Sequence, residues 1–584
     1  MTNHEIASHR ADEIDALIIN TMKEGKSFKV EAGAGAGKTY SLLKVIDWLE
    51  QNKQKDLRRK GQKVACITYT NVAVEEIKSR LKSNDFIHPC TIHTFVWECM
   101  SRFQSSLIKA ICIDNILPYK EDEHGKLAIE DIKKVFYDQG VRYFEMGEFH
   151  LHHNDVITLF VHLLDNSKFR WLLSNKFPII LIDEYQDSFK SIMDQLIKYF
   201  IEPEIAPQLC LFGDSWQTIY GENGACGEVT SDKLVMINKN ANFRSQELIV
   251  NTLNRIRPEL PQISASDDKD GCVIVITTND YEGNRQTKIN YKGELPDDVL
   301  FPYIDNVRGK LARNGWCADC KTLMLTHKLL SRQQHYDNLL SFLGDHFRDA
   351  DDEHFNFFMN KVEPVYESLK SNNVKGLFET LGVERRPIQH IEQKKQWKLL
   401  GDSLQKARQG NIYQVLKVLQ GSRLLGLPPN VLEKFSSFER SKNFEDKVTL
   451  HGKPIKDFYN IMYEEVINAI KFQQTDAEYS TEHGVKGEEF ENVILVMGRG
   501  WNNYKFDETL CLDPTKIYDE KQKKSYIRNR NLFYVCCSRA KKRLAVFVTI
   551  PVQGPFMDYL KNVFGSENII NYGDFMKLYP LVKQ

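Results

Sequence analysis

Residues 31–40 read EAGAGAGKTY, directly after the strand-like segment Phe28-Lys29-Val30. This order predicts a strand, a phosphate-binding loop and the start of a helix. The small residues let the backbone wrap closely around phosphates, so that amide N–H groups and a helix N-terminus face the negative charge. Lys38 then supplies a cation, and Thr39 supplies a hydroxyl for a phosphate-bound magnesium ion. We therefore predict a nucleoside triphosphate site formed by Ala32, Gly33, Ala34, Gly35, Ala36, Gly37, Lys38 and Thr39.

Composition indicates a protein of several domains without a membrane span. The chain has 584 residues and a formal net charge of −1, which gives no overall attraction to nucleic acid. Local basic clusters, such as residues 58–60 or 521–530, would have to hold a polyanion. We find no apolar run long enough for a membrane helix and no signal peptide, and we expect a cytoplasmic protein. The twelve cysteines do not indicate a disulfide framework.

Short apolar runs bounded by polar or turn residues predict buried parallel strands. They fall into two groups separated along the chain, which predicts an α/β fold with two domains, each a mostly parallel sheet covered by helices. Two long stretches with few strand patterns, residues 95–177 and about 346–474, are interpreted as mainly helical insertions. The runs are 64–67, 179–182 and 209–212 in the first group, and 272–276, 323–325, 493–496 and 544–548 in the second.

A second nucleotide motif is IILIDEYQD, residues 179–187. Two carboxylates follow a buried strand here, at the end of the sheet where open α/β folds bind ligands. We predict that Asp183 holds magnesium and that Glu184 orients and deprotonates the attacking water. An Asp-Glu pair is ordinarily solvated surface, but the apolar strand and the upstream loop favour the catalytic interpretation.

Two further segments carry polar groups suited to sensing a γ-phosphate. The run LCLFGDSWQTIYG, residues 209–221, places Gln217 after another predicted strand. Arg244 lies in NFRS and Arg539 lies in YVCCSRA. An arginine placed on a transferring phosphoryl group is worth about 10³ to 10⁵ in rate. A single arginine is usually a surface ion pair, so these predictions depend on the whole set.

The ordered motifs resemble those of the UvrD/Rep-type superfamily 1 helicases. The P-loop is followed by segments similar to motifs Ia, Ib, II, III, IV, V and VI of that family, in the family's order. They are TYTNVAVEEIKSRL (68–81), TIHTF (91–95), DEYQD (183–187), GDSWQTIY (213–220), NFRS (242–245), TEHGVKGEEFENV (481–493) and NLFYVCCSRA (531–540).

The resemblance implies that ATP and Mg²⁺ bind between two motor domains, with Arg244 and Arg539 reaching the phosphates from the side opposite the P-loop. It also places Glu489 near the nucleotide and single-stranded DNA across both domains. Short polar groups bond phosphates and sugars, and aromatic rings stack on bases. For Phe95 a packed core position is the alternative. The implied DNA-facing residues are Thr70, Asn71, Thr91, His93, Phe95, Tyr220 and His483.

The pattern of apolar runs, taken together with the motifs, predicts the domain boundaries. Two RecA-like P-loop motor domains would each be interrupted by a mainly helical insertion. The first motor domain would comprise residues 1–95 and 178–258, with the insertion at 96–177. The second would comprise residues 259–345 and 475–584, with the insertion at 346–474.

The chain departs from the family pattern in several places. Ala32 stands at the first P-loop position, and no glutamine precedes Gln51, so a family glutamine that reads adenine has no counterpart. After motif III the family continues Y-R-W-R-G-A, whereas residues 220–225 read YGENGA, without the tryptophan and two arginines. Each lost base stack is worth roughly 1 to 3 kcal/mol, so we expect weaker DNA binding.

We thus expect an ATP-dependent 3′–5′ DNA helicase or translocase that acts on single-stranded or 3′-tailed DNA. The compact chain also resembles the helicase-like subunits of Gabija-type anti-phage systems, which work with a separate nuclease, of the OLD-family type. The alternative is a DNA-sensing regulatory ATPase subunit of a nuclease complex that does not unwind DNA by itself.

Overall fold

The computed structural model describes most of the chain and divides it into two compact units. The P-loop unit comprises Met1–Asn284, Gly309–Asp319 and Val485–Gln584, and the helical unit comprises Arg285–Arg308 and Cys320–Gly484. The described residues are 1–81, 86–117, 129–137, 142–219, 224–288, 291–316, 320–324, 327–348, 352–382, 391–422, 424–441, 448–473, 479–481, 486–499 and 504–578.

The strands lie mainly where the apolar runs predict them. They are β1 Phe28–Ala32, β2 Val64–Thr68, β3 Ile87–Thr91, β4 Lys134–Phe136, β5 Tyr143–Glu145, β6 Glu148–His150, β7 Ile179–Asp183, β8 Gln208–Gly213, β9 Val235–Lys239, β10 Ala241–Asn242, β11 Ile263–Ser264, β12 Cys272–Thr277, β13 Cys320–Met324, β14 Thr449–Leu450, β15 Lys453–Pro454, β16 Tyr479–Thr481, β17 Phe490–Met497, β18 Ala540–Val548 and β19 Ile569–Asn571.

The helices account for most of the remaining described chain. They are α1 Asn3–Lys23, α2 Lys38–Asn52, α3 Gln54–Arg59, α4 Asn71–Arg80, α5 Ile92–Met100, α6 Gln104–Cys112, α7 His153–Leu163, α8 Ser167–Lys176, α9 Lys190–Leu196, α10 Glu247–Ile256, α11 Asp297–Arg313, α12 His327–Gln333, α13 Asp337–Leu343, α14 Asp345–Arg348, α15 Glu353–Phe357, α16 Glu363–Lys370, α17 Val374–Leu381, α18 Ile391–Ala407, α19 Ile412–Gln420, α20 Pro429–Arg440, α21 Ile455–Tyr459, α22 Tyr463–Gln473, α23 Phe506–Thr509, α24 Glu520–Cys537, α25 Gly554–Phe564 and α26 Tyr572–Lys577.

The first sheet of the P-loop unit is parallel, with the strand order β3-β2-β7-β8-β1-β9. Alternate residues of its central strands enter different cores: Ile180 and Leu209 pack on one face, and Leu181 and Cys210 on the other. Because both faces are covered, β7 and β8 are apolar over residues 179–182 and 209–212, as buried parallel strands are. The predicted strands at 64–67, 179–182 and 209–212 are confirmed.

A second parallel arrangement in the P-loop unit runs β17-β18-β12-β19. In the helical unit, β13 pairs with β16, also in parallel. The fold is therefore α/β with two parallel sheets, as expected from the sequence. The first insertion also holds a small sheet, β4-β6-β5, that the apolar pattern does not reveal.

The helical unit has its own apolar core, formed largely by helices after α12. Phe358, Leu404, Leu416 and Phe435 are among its fully buried side chains. Across the described residues, no helix combines the length and the apolar character needed to cross a membrane.

Candidate nucleotide site

The P-loop connects β1 to α2 and lies against the segment that carries motif IV. Gly35 has a left-handed backbone with φ of +72°, which favours glycine. A Cβ on Gly35 would lie 2.6 Å from Arg244 Cβ and 2.8 Å from Asn242 Oδ1. Phe243 donates its backbone N–H to the Gly35 carbonyl at 2.9 Å. The loop therefore needs glycine here both for its backbone angle and for its close approach to motif IV.

Lys38 and the acidic pair that ends β7 lie together. Lys38 Nζ is 3.4 Å from Glu184 Oε2, and Gln186 Nε2 donates to the same carboxylate oxygen at 2.6 Å. Glu184 has a φ of 49°, an uncommon backbone angle for a residue with a side chain. Such strained positions concentrate at functional sites. The strained turn directs the Glu184 carboxylate toward the P-loop lysine.

The two adjacent carboxylates have opposite pKa shifts. Burial, followed by the negative charge of Glu184, raises the pKa of Asp183 to about 7. Burial also acts to raise the pKa of Glu184, but the cations Lys38 and Lys486 outweigh it, so that this pKa is lowered. Glu184 is therefore ionised at neutral pH, as a general base must be.

The residues fit a divalent metal ion bound with a nucleotide. The Thr39 hydroxyl and the Asp183 carboxylate are hard oxygen ligands of the kind such an ion prefers. A cation at Asp183 would also favour the ionised carboxylate that burial opposes. No cluster of three or more His, Cys, Asp or Glu side chains at metal-binding distance occurs among the described residues.

The predicted phosphate sensors converge from motifs III and VI. Arg539 is buried, and its Nη2 donates to Gln217 Oε1 at 3.3 Å. Burial, together with the nearby Arg244, lowers the pKa of Arg539 to about 10. Arg244 pairs with Glu489, with Nε 2.8 Å from Oε2, and Glu489 also pairs with Lys541 at 2.9 Å. The structure thus brings two arginines and Gln217 to one cluster and places Glu489 beside them.

The predicted DNA-facing residues have differing environments. Thr70 and Thr91 are helix caps: the Thr70 hydroxyl accepts from Ala73 N–H at 3.2 Å, and the Thr91 hydroxyl accepts from Thr94 N–H at 3.4 Å. Asn71 is exposed at the first turn of α4. Tyr220 and His483 lie outside the described residues.

Two aromatic residues of motif Ib are more enclosed. His93 is half-buried, with ring centroids 5.5 Å from those of His153 and Phe189, and burial lowers its pKa. Phe95 is only 3% exposed and packs against Phe160 and Phe177. The Phe95 ring therefore belongs to the core and presents no open face for a base in this structure.

Sequence motifs do not reveal a buried charged cluster directly behind the site. Arg257 joins Glu31 of β1 to Asp214 of motif III, at 2.8 and 2.6 Å. Tyr534 of motif VI accepts a hydrogen bond from the backbone N–H of Ala34 at 3.2 Å. One indication of this cluster lies in the sequence FKVEA of β1. A glutamate in a strand that is buried on both faces requires a paired cation or hydrogen-bond donors.

Several known proteins are similar to this chain. A family described as "AAA domain" matches residues 15–223, which include the P-loop and motif II. The chain is 24% identical to the Gabija protein GajB of Bacillus cereus strain HuB5-5, over 96% of this chain and 98% of that protein. It is 22% identical to the ATP-dependent DNA helicase PcrA of Staphylococcus aureus strain Mu50, over 88% and 80%. It is 26% identical to the mitochondrial ATP-dependent DNA helicase HMI1 of Saccharomyces cerevisiae, over 44% and 41%.

Two of these relatives are named as ATP-dependent DNA helicases, and the family model covers the P-loop segment. The likeness extends over both groups of motifs and not only over the P-loop segment. The eight motifs in family order and these relatives make the chain similar to the UvrD-like superfamily 1 helicases, and they support an ATP-dependent DNA helicase.

Proposed function

We propose that the chain hydrolyses ATP with Mg²⁺ and uses the reaction to move 3′ to 5′ along single-stranded DNA, entering from single strands or 3′ tails. The observation that carries the proposal is the convergence of Gln217, Arg244 and Arg539 beside the P-loop that holds Lys38. Cationic and amide donors on one side of a phosphate loop suit the charge that develops in phosphoryl transfer.

Each side chain has a role consistent with its surroundings. Lys38 would bind the terminal phosphates of ATP. These phosphates would compete with Glu184 for the Lys38 ammonium group. Glu184 would then be free to accept the proton of the attacking water. As the water oxygen bonds to the γ-phosphorus and the bond to ADP breaks, Arg244 and Arg539 would neutralise the transferred group. Mg²⁺, held by Thr39 and Asp183, would neutralise the β- and γ-phosphate oxygens.

Movement requires two motor domains that alternately grip the strand. We assign residues 1–95 and 178–258 to the first and residues 259–345 and 475–584 to the second. ATP binding would close the cleft between them, and hydrolysis would reopen it. The long-range pairs that join motif IV to motif V, such as Arg244 with Glu489, support a cleft whose walls come from both halves of the chain.

We further propose that the chain works with a separate nuclease subunit, of the OLD-family type, in cytoplasmic anti-phage defence. The support is the likeness to a Gabija protein over 96% of this chain and 98% of the relative. The competing function is a DNA-sensing regulatory ATPase without unwinding. The reduced stacking apparatus favours it: residues after motif III lack the family's tryptophan, and Phe95 is buried.

Steady-state ATP hydrolysis tests the proposal. The chain would be assayed with no DNA, single-stranded DNA, blunt duplex and 3′-tailed duplex, beside Glu184→Gln and the exposed control Glu247→Gln. We expect stimulation by single strands and 3′ tails that Glu184→Gln loses and Glu247→Gln keeps. Hydrolysis indifferent to every DNA would contradict the motor function. Normal hydrolysis by Glu184→Gln would contradict the assigned general base.

Polarity and partnership need separate assays. A 3′–5′ translocase displaces streptavidin from a biotin at the 5′ end of a single strand and not from the 3′ end; displacement at the 3′ end alone would contradict the proposed direction. Phage protection that requires both this chain and a nuclease encoded beside it would support the defence role. Protection that is complete without the nuclease would contradict the partnership.

A further inference from the structure

The buried cluster behind the nucleotide site is built around one arginine. Arg257 follows α10 and is 3% exposed. Its Nη2 donates to Glu31 Oε1 at 2.8 Å and its Nη1 donates to Asp214 Oδ1 at 2.6 Å. Both carboxylates are almost completely buried, so each needs a paired cation and full hydrogen bonding. The planar guanidinium fork can serve two carboxylates at fixed angles, which a lysine cannot do.

The Asp214 carboxylate is fixed at both oxygens. Oδ1 accepts from Arg257 and from the backbone N–H of Trp216, the latter at 3.1 Å. Oδ2 is left to accept from Gln217 Nε2 at 2.8 Å. Asp214 therefore joins Arg257 to the amide of Gln217.

Chemistry decides which way the Gln217 amide points. A carboxylate only accepts hydrogen bonds, so the NH₂ end must face Asp214. A guanidinium only donates, so the oxygen end must face Arg539, whose Nη2 lies 3.3 Å from Oε1. One N–H of Gln217 is committed to Asp214, and the other remains to donate to a phosphate oxygen. A reversed amide would aim its oxygen at Asp214 and its NH₂ at Arg539, with both contacts repulsive.

We propose that Arg257 is a positioning residue for ATP hydrolysis: by holding Asp214, it fixes the Gln217 amide with its oxygen on Arg539 and one N–H toward the phosphate. The inference rests on the proposed roles of Gln217 and Arg539. The described ion pairs of Arg257 join it to Glu31, Asp214 and Glu259, so its influence on Gln217 passes through Asp214.

The first test replaces Arg257 with lysine, which keeps the charge and loses the fork. Arg255→Lys is the matched control, because Arg255 is exposed on α10 and its hydrogen bond goes to the Val563 carbonyl, at 3.3 Å. We expect Arg257→Lys to lower kcat about tenfold while the KM for ATP changes less than about threefold. The control should leave both constants unchanged. A loss confined to KM would overturn the proposal.

A double-mutant cycle separates positioning from a general structural role. Arg257→Lys is measured in the wild-type chain and in a Gln217→Ala background. If Arg257 acts through Gln217, its effect on kcat should shrink to less than about twofold in that background. Equal losses in both backgrounds would overturn the proposal. If Gln217→Ala alone leaves kcat unchanged, the assigned role of Gln217 fails, which is a different result.

A second variant keeps the inference testable if Arg257→Lys does not fold. Asp214→Asn is isosteric. Its oxygen must stay toward Arg257 and the Trp216 N–H, so its NH₂ would face Gln217. Because two NH₂ groups that face each other repel, the Gln217 side-chain amide should turn over. Its NH₂ group would then face the Arg539 guanidinium. We expect a kcat loss like that of Arg257→Lys, with mantATP binding and the melting temperature nearly retained. Wild-type kcat in a folded Asp214→Asn chain would overturn the proposal.

Discussion

At the scale of single residues, the nucleotide site depends on backbone angles that most side chains avoid. Gly35 and Gly61 make this testable, because they share a left-handed φ, +72° and +65°, but differ in space. A Cβ at Gly35 would meet Arg244 and Asn242, whereas nothing lies within 4 Å of a Cβ at Gly61. Comparing alanine substitutions at the two glycines separates the cost of the left-handed φ from the cost of the Cβ contact with Arg244 and Asn242.

We predict that Gly35→Ala lowers ATP hydrolysis at least tenfold, because the loop must move away from motif IV. Gly61→Ala should cost only about 1 kcal/mol of stability, from the strained angle alone, with normal hydrolysis. Steady-state ATPase and urea unfolding of both variants check this. Equal ATPase in the two variants would show that the close approach of motif IV to the loop is not needed.

At the scale of elements, the sequence predicts the interior strands well and the edge strands poorly. Central strands such as β7 are covered on both faces and therefore appear as apolar runs. The edge strands β3, IHPCT, and β9, VMINK, are only partly buried and carry polar residues, and β3 contains a proline, which edge strands tolerate. The apolar run 234–237 marks only the first residues of β9, and no such run marks β3.

The site also has residues that the sequence predicts and residues that it does not. Motif residues such as Lys38 and Glu184 could be assigned from order and spacing, because a P-loop and a strand-end acidic pair have local patterns. Arg257 could not be assigned from the sequence, because a single arginine after a helix belongs to no recognisable motif. Its role depends on Glu31, distant in sequence and adjacent in space. The domain boundaries and the roles of the site residues stay predictions that the proposed variants test.

Within the helical unit, one carboxylate joins three helical segments. Glu363 at the start of α16 accepts from Arg408, just after α18, at 3.0 and 2.6 Å, and from the hydroxyl of Tyr463 in α22 at 2.9 Å. Glu363→Ala would leave the Arg408 charge without its carboxylate, so we predict a loss of about 3 kcal/mol in the free energy of unfolding. Urea titration measures it. The exposed Glu367→Ala, one turn along, should stay within about 0.5 kcal/mol; similar losses would contradict the prediction.

At the scale of the whole molecule, the nucleotide site is assembled from distant parts of the chain. Arg539 reaches Gln217 across 322 positions, and Arg244 reaches Glu489 across 245. Because its side chains come from both groups of motifs, the complete site forms only when both groups are folded. A fragment ending after motif IV would carry the P-loop but lack Arg539.

Trp216 lies at the meeting point of these parts. It is 8% exposed, with the Arg530 guanidinium carbon 3.7 Å from its ring centre and the Tyr534 ring centroid at 5.5 Å. Tyr534 in turn accepts the N–H of Ala34 in the P-loop. A shift of the P-loop on binding ADP or ATP should therefore alter the electrostatic surroundings of this indole.

We predict a change in intrinsic fluorescence on nucleotide binding that Trp216→Phe removes and that Trp171→Phe, at an exposed site on α8, leaves in place. A signal that survives Trp216→Phe would locate the responding indole elsewhere among the seven tryptophans. The stacked indole thus gives the chain a built-in optical reporter, with which nucleotide occupancy can be followed in real time without attaching a dye.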